Sequence, residues 1–352
     1  MKIKTFQKQD IYEKKVFLRL DFDVPIEKGK ITDDSRLKAG LLSINYLLKS
    51  NCFLVLAGHL GRPKDHLEKG NKFSLKPIAV WLKKELKIKD DKFSEGELNE
   101  FDGWNLGDRV FLLENLRFDK GEEENNPEFS KKIASLAEVY INDAFAVSHR
   151  NHASITGITK FIPSFAGLRL IEEIKILSKV LENPKRPLVV IIGGAKIETK
   201  LPVVERMHQI ADYILVGGEI AEQDKVLLKV QHERVVNKKP VLLIADLEED
   251  KKDITKKSAE NFSQIVSKGE TIVWNGPMGM ISDTEKVYSR ATKLIAEAII
   301  KTNTFSIVGG GDTVGYLKKL NLLDKFSFIS TGGGAMLNFL AGEKLPGIEI
   351  LK

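Results

Sequence analysis

Short apolar runs recur along the chain, each ending in glycine or polar residues and followed by a stretch with helical spacing. In the first half they stand at 16–20, 53–57, 110–113 and 139–141. Between them, Leu37, Leu41, Ile44 and Leu48 repeat at three- and four-residue intervals, which predicts a helix over 36–48 with one buried face. Leu75, Ile78, Leu82 and Leu86 predict another, with Ser74 as its N-cap, and a third is expected near 127–137. In the second half the runs stand at 188–192, 213–216, 241–245, 271–274, 305–308 and 326–329. Runs this short, rich in branched side chains and lacking alternation, read as strands buried on both faces of a parallel sheet. Strands alternating with helices predict an α/β protein with doubly wound parallel sheets. A single helix over 167–181, stopped by Asn183-Pro184, separates the two sets and reads as a connector. The expected division is therefore 1–166, a connecting helix at 167–183, and a second domain over 184–334.

The residues that follow the runs carry the chemistry, because ligands of such sheets sit beyond the carboxyl ends of the strands. In the first half, Asp21 and Asp23, His59 and Arg62, Arg117, and Arg150 each follow a run, and Arg36 precedes a helix in a similar loop. One such arginine is best read as solvated. Several in equivalent places on one sheet form a basic cup, and the planar guanidinium fork suits carboxylate and phosphate. His149 and His152 have no cysteine or carboxylate at ligand spacing, which argues against a metal site there.

In the second half the turns are rich in glycine. PLVVIIGGAKIETK, residues 187–200, places Gly193-Gly194 at the end of a run, with Lys196 and Lys200 on one side of the helix expected behind it. Gly217-Gly218, Asn275-Gly276-Pro277-Met278-Gly279, Gly309-Gly310-Gly311-Asp312-Thr313 and Ser330-Thr331-Gly332-Gly333-Gly334-Ala335 end later runs. Glycines let backbone N–H groups approach phosphate oxygens, and a helix start adds its positive end. Asp312 reads either as an N-cap or as a carboxylate serving Mg²⁺. Neither GxxxxGK[ST] nor GxGxxG occurs, so the phosphate signal belongs to neither common nucleotide class.

At 352 residues the chain is long enough for two cores. A net charge of +6 admits nucleic acid, acidic membranes or phosphorylated small molecules as partners. The dense charge run at 248–257 mixes both signs and is no nucleic-acid patch. One cysteine, Cys52, allows neither an internal disulfide nor a thiolate cluster, which suits a reducing cytoplasm. The opening MKIKTFQKQD lacks the apolar core of a secretory signal, and no apolar run approaches the ~20 residues of a membrane span. A soluble, cytoplasmic protein is expected, without nucleic acid or membrane as partner.

RLDFDVP, GHLGRP, ENLRF, YINDAFAVSHRNHAS, IIGGAK, WNGPMG, VGGGDT and STGGGA occur in the order found in phosphoglycerate kinases, and the resemblance covers nearly the whole chain. It implies two Rossmann-like domains joined by a helix and hinge, a closing segment (335–352) that returns to the first domain, and a monomer. It also implies reversible phosphoryl transfer between 1,3-bisphosphoglycerate with ADP and 3-phosphoglycerate with ATP, with Mg²⁺, by domain closure and electrostatic stabilisation. By motif, Asp21, Asp23, Arg36, His59, Arg62, Arg117 and Arg150 would hold phosphoglycerate. Gly194, Lys196, Lys200, Gly217, Asn275, Pro277, Gly310, Gly311, Asp312 and Thr313 would line the nucleotide, with Asp312 near the metal. Arg36, Lys196, Gly311 and Gly334 would act on the transferring group.

The chain departs from the family pattern in four places. Asp23 stands where asparagine is usual, adding negative charge beside an anionic ligand. The loop after Gly217-Gly218 reads Glu219-Ile220-Ala221-Glu222-Gln223-Asp224, more acidic than usual, and the chain from there to Gly269 is short. Ser282 replaces a glutamate expected at the ribose, with Asp283 beside it as a substitute. Retained chemistry with looser nucleotide selection is the expectation. A binding protein on the same scaffold, motivated by the altered loop, and a nucleic-acid binder, motivated by net charge alone, are the competing readings.

Overall fold

In the computed structural model, which describes residues 3–63, 72–223, 240–281 and 288–352, the apolar runs form the strands of two separate sheets. In chain order the first nine strands are β1 (Lys15–Arg19), β2 (Ile26–Glu27), β3 (Lys30–Ile31), β4 (Phe53–Ala57), β5 (Phe93–Leu98), β6 (Phe101–Leu106), β7 (Val110–Leu113), β8 (Val139–Asn142) and β9 (Ser164–Ala166). Then come β10 (Leu188–Ile192), β11 (Tyr213–Val216), β12 (Val241–Ile244), β13 (Thr271–Asn275), β14 (Phe305–Gly309) and β15 (Phe328–Ile329). The first sheet has the order β5-β6-β7-β4-β1-β8-β9 and the second β12-β11-β10-β13-β14-β15, while β2 and β3 pair as a separate hairpin.

The β1, β4, β7, β8 and β9 pairings of the first sheet and every pairing of the second are parallel. Both faces of such strands are covered, which is why they lack alternation. Val16 and Leu18 of β1 enter one apolar cluster and Phe17 another, on opposite faces of the same strand. All five residues of β10 are buried. In each sheet the strand order runs both ways from a central strand, β1 and β10, so each has a switch point where loops diverge.

The hairpin β5–β6 was not foreshadowed by any apolar run. It is antiparallel and extends the first sheet at one edge. β5 mixes exposed polar with half-buried residues, β6 sets exposed Asp102 and Asn105 among buried Gly103, Trp104 and Leu106, and Asn99 and Glu100 close the hairpin with positive φ of 47° and 72°, the geometry of a tight two-residue turn. Three helical expectations also change. The helix Lys76–Glu85 has Leu75, not Ser74, at its cap position. Ser74 Oγ accepts the Lys76 amide at 3.1 Å and donates to Glu114 at 2.7 Å, and Glu114 takes the Leu75 amide at 2.7 Å, so the serine and a carboxylate from another loop hold the helix start together. The third helix is shorter than expected, Pro127–Ala134, with Asn126 as cap. Behind Gly194 there is a 3₁₀ turn, Ile197–Thr199, before a helix at Leu201–Met207. Pro202 suits the first turn of that helix and no later position.

The chain divides into two compact units, Met1–Ile174 with Lys344–Lys352, and Lys175–Glu343. The division falls inside the helix Leu168–Glu182. The segment grouped with the first unit begins at Lys344 and not at residue 335, because the helix Gly333–Leu340 belongs to the second unit. There Met336 lies 3.7 Å from Asn275 Nδ2 at the end of β13. No helix among the described residues is long and apolar enough to cross a membrane.

Candidate functional site

In the first unit the loops after β1, β4, β7 and β8 converge on a buried guanidinium. Arg19, the last residue of β1, is 1% exposed. It donates from Nε to Ser154 Oγ at 2.8 Å, to the carbonyl of Leu20, and from Nη2 to His59 Nδ1 at 3.2 Å. A guanidinium only donates, so His59 accepts at Nδ1 and carries its proton on Nε2, which lies 3.9 Å from Asp23 Oδ2. Burial, reinforced by Arg19 and Arg117, holds His59 well below the usual imidazole range, so it stays neutral.

Asp23 Oδ1 accepts the Gly61 amide at 2.8 Å, and Arg117 Nη1 donates to the Gly61 carbonyl at 2.7 Å. One glycine of GHLGRP thus ties the β1 loop to the β7 loop. Arg36 donates to the carbonyl of Asp23 at 2.8 Å and lies 3.4 Å from Asp21 Oδ2. Burial raises the Asp21 carboxyl, and Arg36 opposes that rise. Arg117 is paired with Glu123 at 3.1 Å, and Asn115 beside it donates to the carbonyls of Leu60 and Phe73 at 2.8 and 2.9 Å, fastening the loop. Arg62 is exposed and Arg150 half-buried. The charges of Arg150, Arg117 and Arg62 all reach His149, which burial first and those arginines next push down to about 4. His152 is pushed down to about 3 by burial and then by Arg117, Arg19 and Arg150.

Asp21, Asp23, Arg36, His59, Arg62, Arg117 and Arg150 therefore share one cup. Its charge at neutral pH comes from arginines, not histidines. No group of three or more His, Cys, Asp or Glu that could hold a metal ion is present among the described residues. The Asp23 carboxylate takes the Gly61 amide on one oxygen, while its other oxygen lies 3.9 Å from His59 Nε2, too far for a hydrogen bond. Four supporting residues were missed in the sequence: Arg19, Glu122, Ser154 and Asn115. Glu122 is fully buried and accepts from the Ser154 amide at 2.9 Å and hydroxyl at 2.6 Å. The signal for Arg19 was present, a cation inside an otherwise apolar strand.

In the second unit the turns after β10 and β13 lock together across the switch point. The Gly193 amide donates to the Asn275 carbonyl at 2.9 Å and the Gly194 amide to the Pro277 carbonyl at 2.8 Å. Gly276 has φ +89°, and a Cβ there would fall 2.1 Å from the Gly193 carbonyl oxygen, so only glycine fits. The Gly218 amide donates to Met278 O at 3.0 Å, and Ile220 N to Gly194 O at 3.1 Å, which adds the β11 turn to the same floor, with Gly217 buried at its base. Asn275 Nδ2 reaches the Gly333 carbonyl at 3.3 Å.

Lys196 and Lys200 do not share a helix face. Lys196 has extended backbone ahead of the 3₁₀ turn and is exposed, while Lys200 closes that turn and is 8% exposed. A Cβ on Gly194 would stand 2.5 Å from Lys200 Nζ, so the ammonium lies directly on the glycine turn. Burial pushes Lys200 down to about 8, with Asp312 opposing and Lys196 adding to the fall. Asp312 sits in the first turn of the helix Gly311–Lys319, whose cap position is Gly310, so it is not the N-cap. Thr313 is fully buried there, and its Oγ1 has no hydrogen-bond partner among the described residues. Among the described residues nothing lies within 4 Å of a Cβ built on Gly311 or Gly334, which leaves the starts of two helices open to an anion. Glu219–Gln223 forms a short 3₁₀ helix in which Glu222 pairs with Lys251 at 3.6 Å. Asp224, Ser282 and Asp283 lie outside the described residues.

A profile of the phosphoglycerate kinase family matches residues 6–239 and 224–343. Phosphoglycerate kinase of Dictyoglomus turgidum is 39% identical over 389 aligned positions, covering 98% of this chain and 97% of that protein. Those aligned positions outnumber the 352 residues here, so the relative has residues this chain lacks. The Finegoldia magna phosphoglycerate kinase is 38% identical, covering 100% of this chain and 99% of its own. The phosphoglycerate kinase structure from Coxiella burnetii superposes with a TM-score of 0.80 at 34% identity, covering 99% of both chains. That from Pyrococcus horikoshii gives 0.79 at 28% identity, covering 99% of this chain and 98% of its own. With a guanidinium-lined cup in one unit and interlocked glycine turns in the other, the chain belongs to the phosphoglycerate kinase family.

Proposed function

We propose that the protein transfers a phosphoryl group reversibly between 1,3-bisphosphoglycerate with ADP and 3-phosphoglycerate with ATP, as a cytoplasmic monomer. The observation that carries this reading is the pairing of two complementary anion sites on one chain. In the cup of the first unit Arg36 and Arg117 act on Asp21, Asp23 and His59, and the charges of Arg62 and Arg150 reach the neighbouring His149. It suits a small ligand with a carboxylate or acyl phosphate at one end and a phosphate at the other. The second unit offers open helix starts and a buried ammonium on a glycine turn, which suits a nucleotide's phosphates.

Phosphoryl transfer needs in-line placement and charge stabilisation more than covalent chemistry. Arg36 and Lys196 are assigned to the transferring group, with the Gly311 and Gly334 amides on its oxygens. Gly194, Lys200, Gly217, Asn275, Pro277, Gly310 and Thr313 are assigned to the nucleotide. Donor and acceptor must meet out of water, so the assignment requires the two units to close on each other during turnover. Mg²⁺ on a nucleotide takes one or two carboxylates besides phosphate oxygens and waters, not a protein cage. The single exposed carboxylate of Asp312, beside the turn that holds Lys200, fits that donor set. When bound, the metal would neutralise phosphate charge.

Lys200 makes nucleotide binding depend on pH in a stated direction. Its folded pKa of about 8 lies below 10.5, so the free site loses its ammonium charge as pH rises through about 8. A phosphate ligand favours the charged form, so binding above pH 8 takes up a proton and weakens by up to about tenfold per unit. Calorimetry of MgADP binding in buffers of different ionisation enthalpy checks this. No proton uptake at pH 9 would remove Lys200 from the phosphates.

The deciding experiment is a coupled assay of phosphoryl transfer from MgATP to 3-phosphoglycerate, repeated with GTP. The shortened stretch beyond Glu219–Gln223 leads us to expect kcat/KM with GTP within about tenfold of that with ATP, since a looser base pocket forfeits only a few contacts. Strict ATP preference would refute the loosened pocket. No turnover with either nucleotide, from protein that still binds 3-phosphoglycerate, would leave only a binding role.

A further inference from the structure

The chain passes between its two compact units at 174–175, inside the helix Leu168–Glu182, and again at 343–344. On the first-unit side, both passages are tied to the residues between β8 and Arg150. Asp143, 4% exposed, accepts the amides of Arg169 and Leu170 on one oxygen at 2.7 and 3.0 Å, so it caps the helix that leaves. A carboxylate at a helix start also faces the positive end of the helix dipole. Gly167, just ahead of that helix, would place a Cβ 2.3 Å from this carboxylate, and its amide donates to the Asn142 carbonyl at 2.7 Å. The segment that returns is held by the same loop. Asn142 Nδ2 donates to the Gly347 carbonyl at 3.3 Å, and the Gly347 amide to Ser148 O at 2.9 Å.

A second fastening comes from the helix Ser35–Lys49. Ser43, fully buried, accepts the Leu168 amide at 3.1 Å, and Arg36 stands in the first turn of that same helix. Three consecutive amides of the departing helix, Leu168, Arg169 and Leu170, are thus held by side chains of two elements that each carry an arginine of the cup. Helix propensity does not require this. A single capping side chain from the preceding residue would do. The Asp143 carboxyl is kept at that place although burial pushes it up to about 6, against hydrogen bonds from Ser43 and the two amides.

We propose that Asp143 and Ser43 are positioning residues for phosphoryl transfer, coupling the arginines that grip phosphoglycerate to the helix by which the chain leaves the first unit. This rests on the kinase reading above. Neither side chain is assigned to the ligand. Their effect runs through the backbone amides of Leu168, Arg169 and Leu170, which set the direction in which that helix leaves the first unit. A displacement of about 1 Å at reacting atoms costs on the order of 10²-fold in rate.

The test compares Ser43→Ala, Asp143→Ala and Asp143→Asn with the unsubstituted protein, by turnover and by separate titration of 3-phosphoglycerate and MgADP. Ser43→Ala and Asp143→Ala are expected to lower kcat by about 10- to 100-fold while both dissociation constants stay within about threefold. Asp143→Asn keeps an oxygen that accepts both amides, so it should restore most of the rate. Full turnover in folded Ser43→Ala would overturn the proposal and leave both residues a structural role. Loss of 3-phosphoglycerate affinity in step with kcat would overturn it too, by placing them in the cup. If Asp143→Ala does not fold, Ser43→Ala and Asp143→Asn decide alone. Absence of turnover in the unsubstituted protein would instead defeat the kinase reading, and is seen before any variant is made.

Discussion

Replacing Lys196 by alanine is expected to lower kcat by roughly 10²–10³, with KM for either substrate changed little, the loss typical of removing one preorganised stabiliser of developing charge. The structure separates the two lysines of IIGGAKIETK by burial, and the tasks proposed for them follow that difference. Lys200 is buried on the Gly193-Gly194 turn, and that burial lowers its pKa to about 8. Such a group belongs to the ground state, where it meets phosphates already in place. Lys196 is exposed, held in extended backbone ahead of the short 3₁₀ turn, and free to reach a group that arrives from outside its own unit. Uniform binding would show as a raised KM, and transition-state binding as a lowered kcat. Steady-state kinetics on Lys196→Ala and Lys200→Ala should therefore split, the first falling chiefly in kcat and the second chiefly in nucleotide KM. Near-normal turnover in Lys196→Ala would end the assignment of that residue to the transferring group.

Arg19→Met should destabilise the first unit by about 3–5 kcal/mol, the usual result of leaving one buried charge without its partner. Arg19 and Glu122 are joined through Ser154: the guanidinium donates to Ser154 Oγ at 2.8 Å, and that hydroxyl donates to Glu122 at 2.6 Å. Burial raises the Glu122 carboxyl, and Arg19 is the largest influence opposing that rise. Removing Arg19 thus drives Glu122 further towards its protonated form. Adding Glu122→Gln to Arg19→Met should recover part of the loss, since the neutral amide still accepts from Ser154. Urea unfolding of the two single variants and the double variant gives the coupling directly. Additive effects would show that the relay through Ser154 is energetically silent. The same substitution should disturb the cup, because Arg19 also fixes the His59 tautomer that faces Asp23.

Buried charge was the part of this site least legible in the sequence. Arg62, Arg117 and Arg150 each announce themselves by standing just after a predicted strand, and Arg36 by standing at the start of a helix. Arg19 closes a run that reads as plain strand, and Glu122 sits in a polar stretch that reads as surface. Their roles depend on which elements pack over them, which local pattern does not encode. The β5–β6 hairpin was hidden for the opposite reason. One face is open to water, so its strands need no apolar run, and its register comes from pairing to β7 across the sheet. The Lys196–Lys200 spacing misled because a helical period was assumed where Pro202 delays the helix.

Read alone, the residues determined the α/β class and the positions of the parallel strands, and pointed to the loops proposed to carry ligand chemistry. They could do so because strands buried on both faces must be continuously apolar, and a backbone that approaches phosphate must be glycine. Only the tertiary structure decided which loops share a switch point, which lysine is buried and which exposed, and that Asp143 and Ser43 together hold one helix start. Those outcomes turn on burial and on contacts between residues far apart in the chain, such as Ser43 with Leu168 and Asn142 with Gly347. Desolvation and long-range hydrogen bonds exist only once the chain has folded, so no local spacing can specify them.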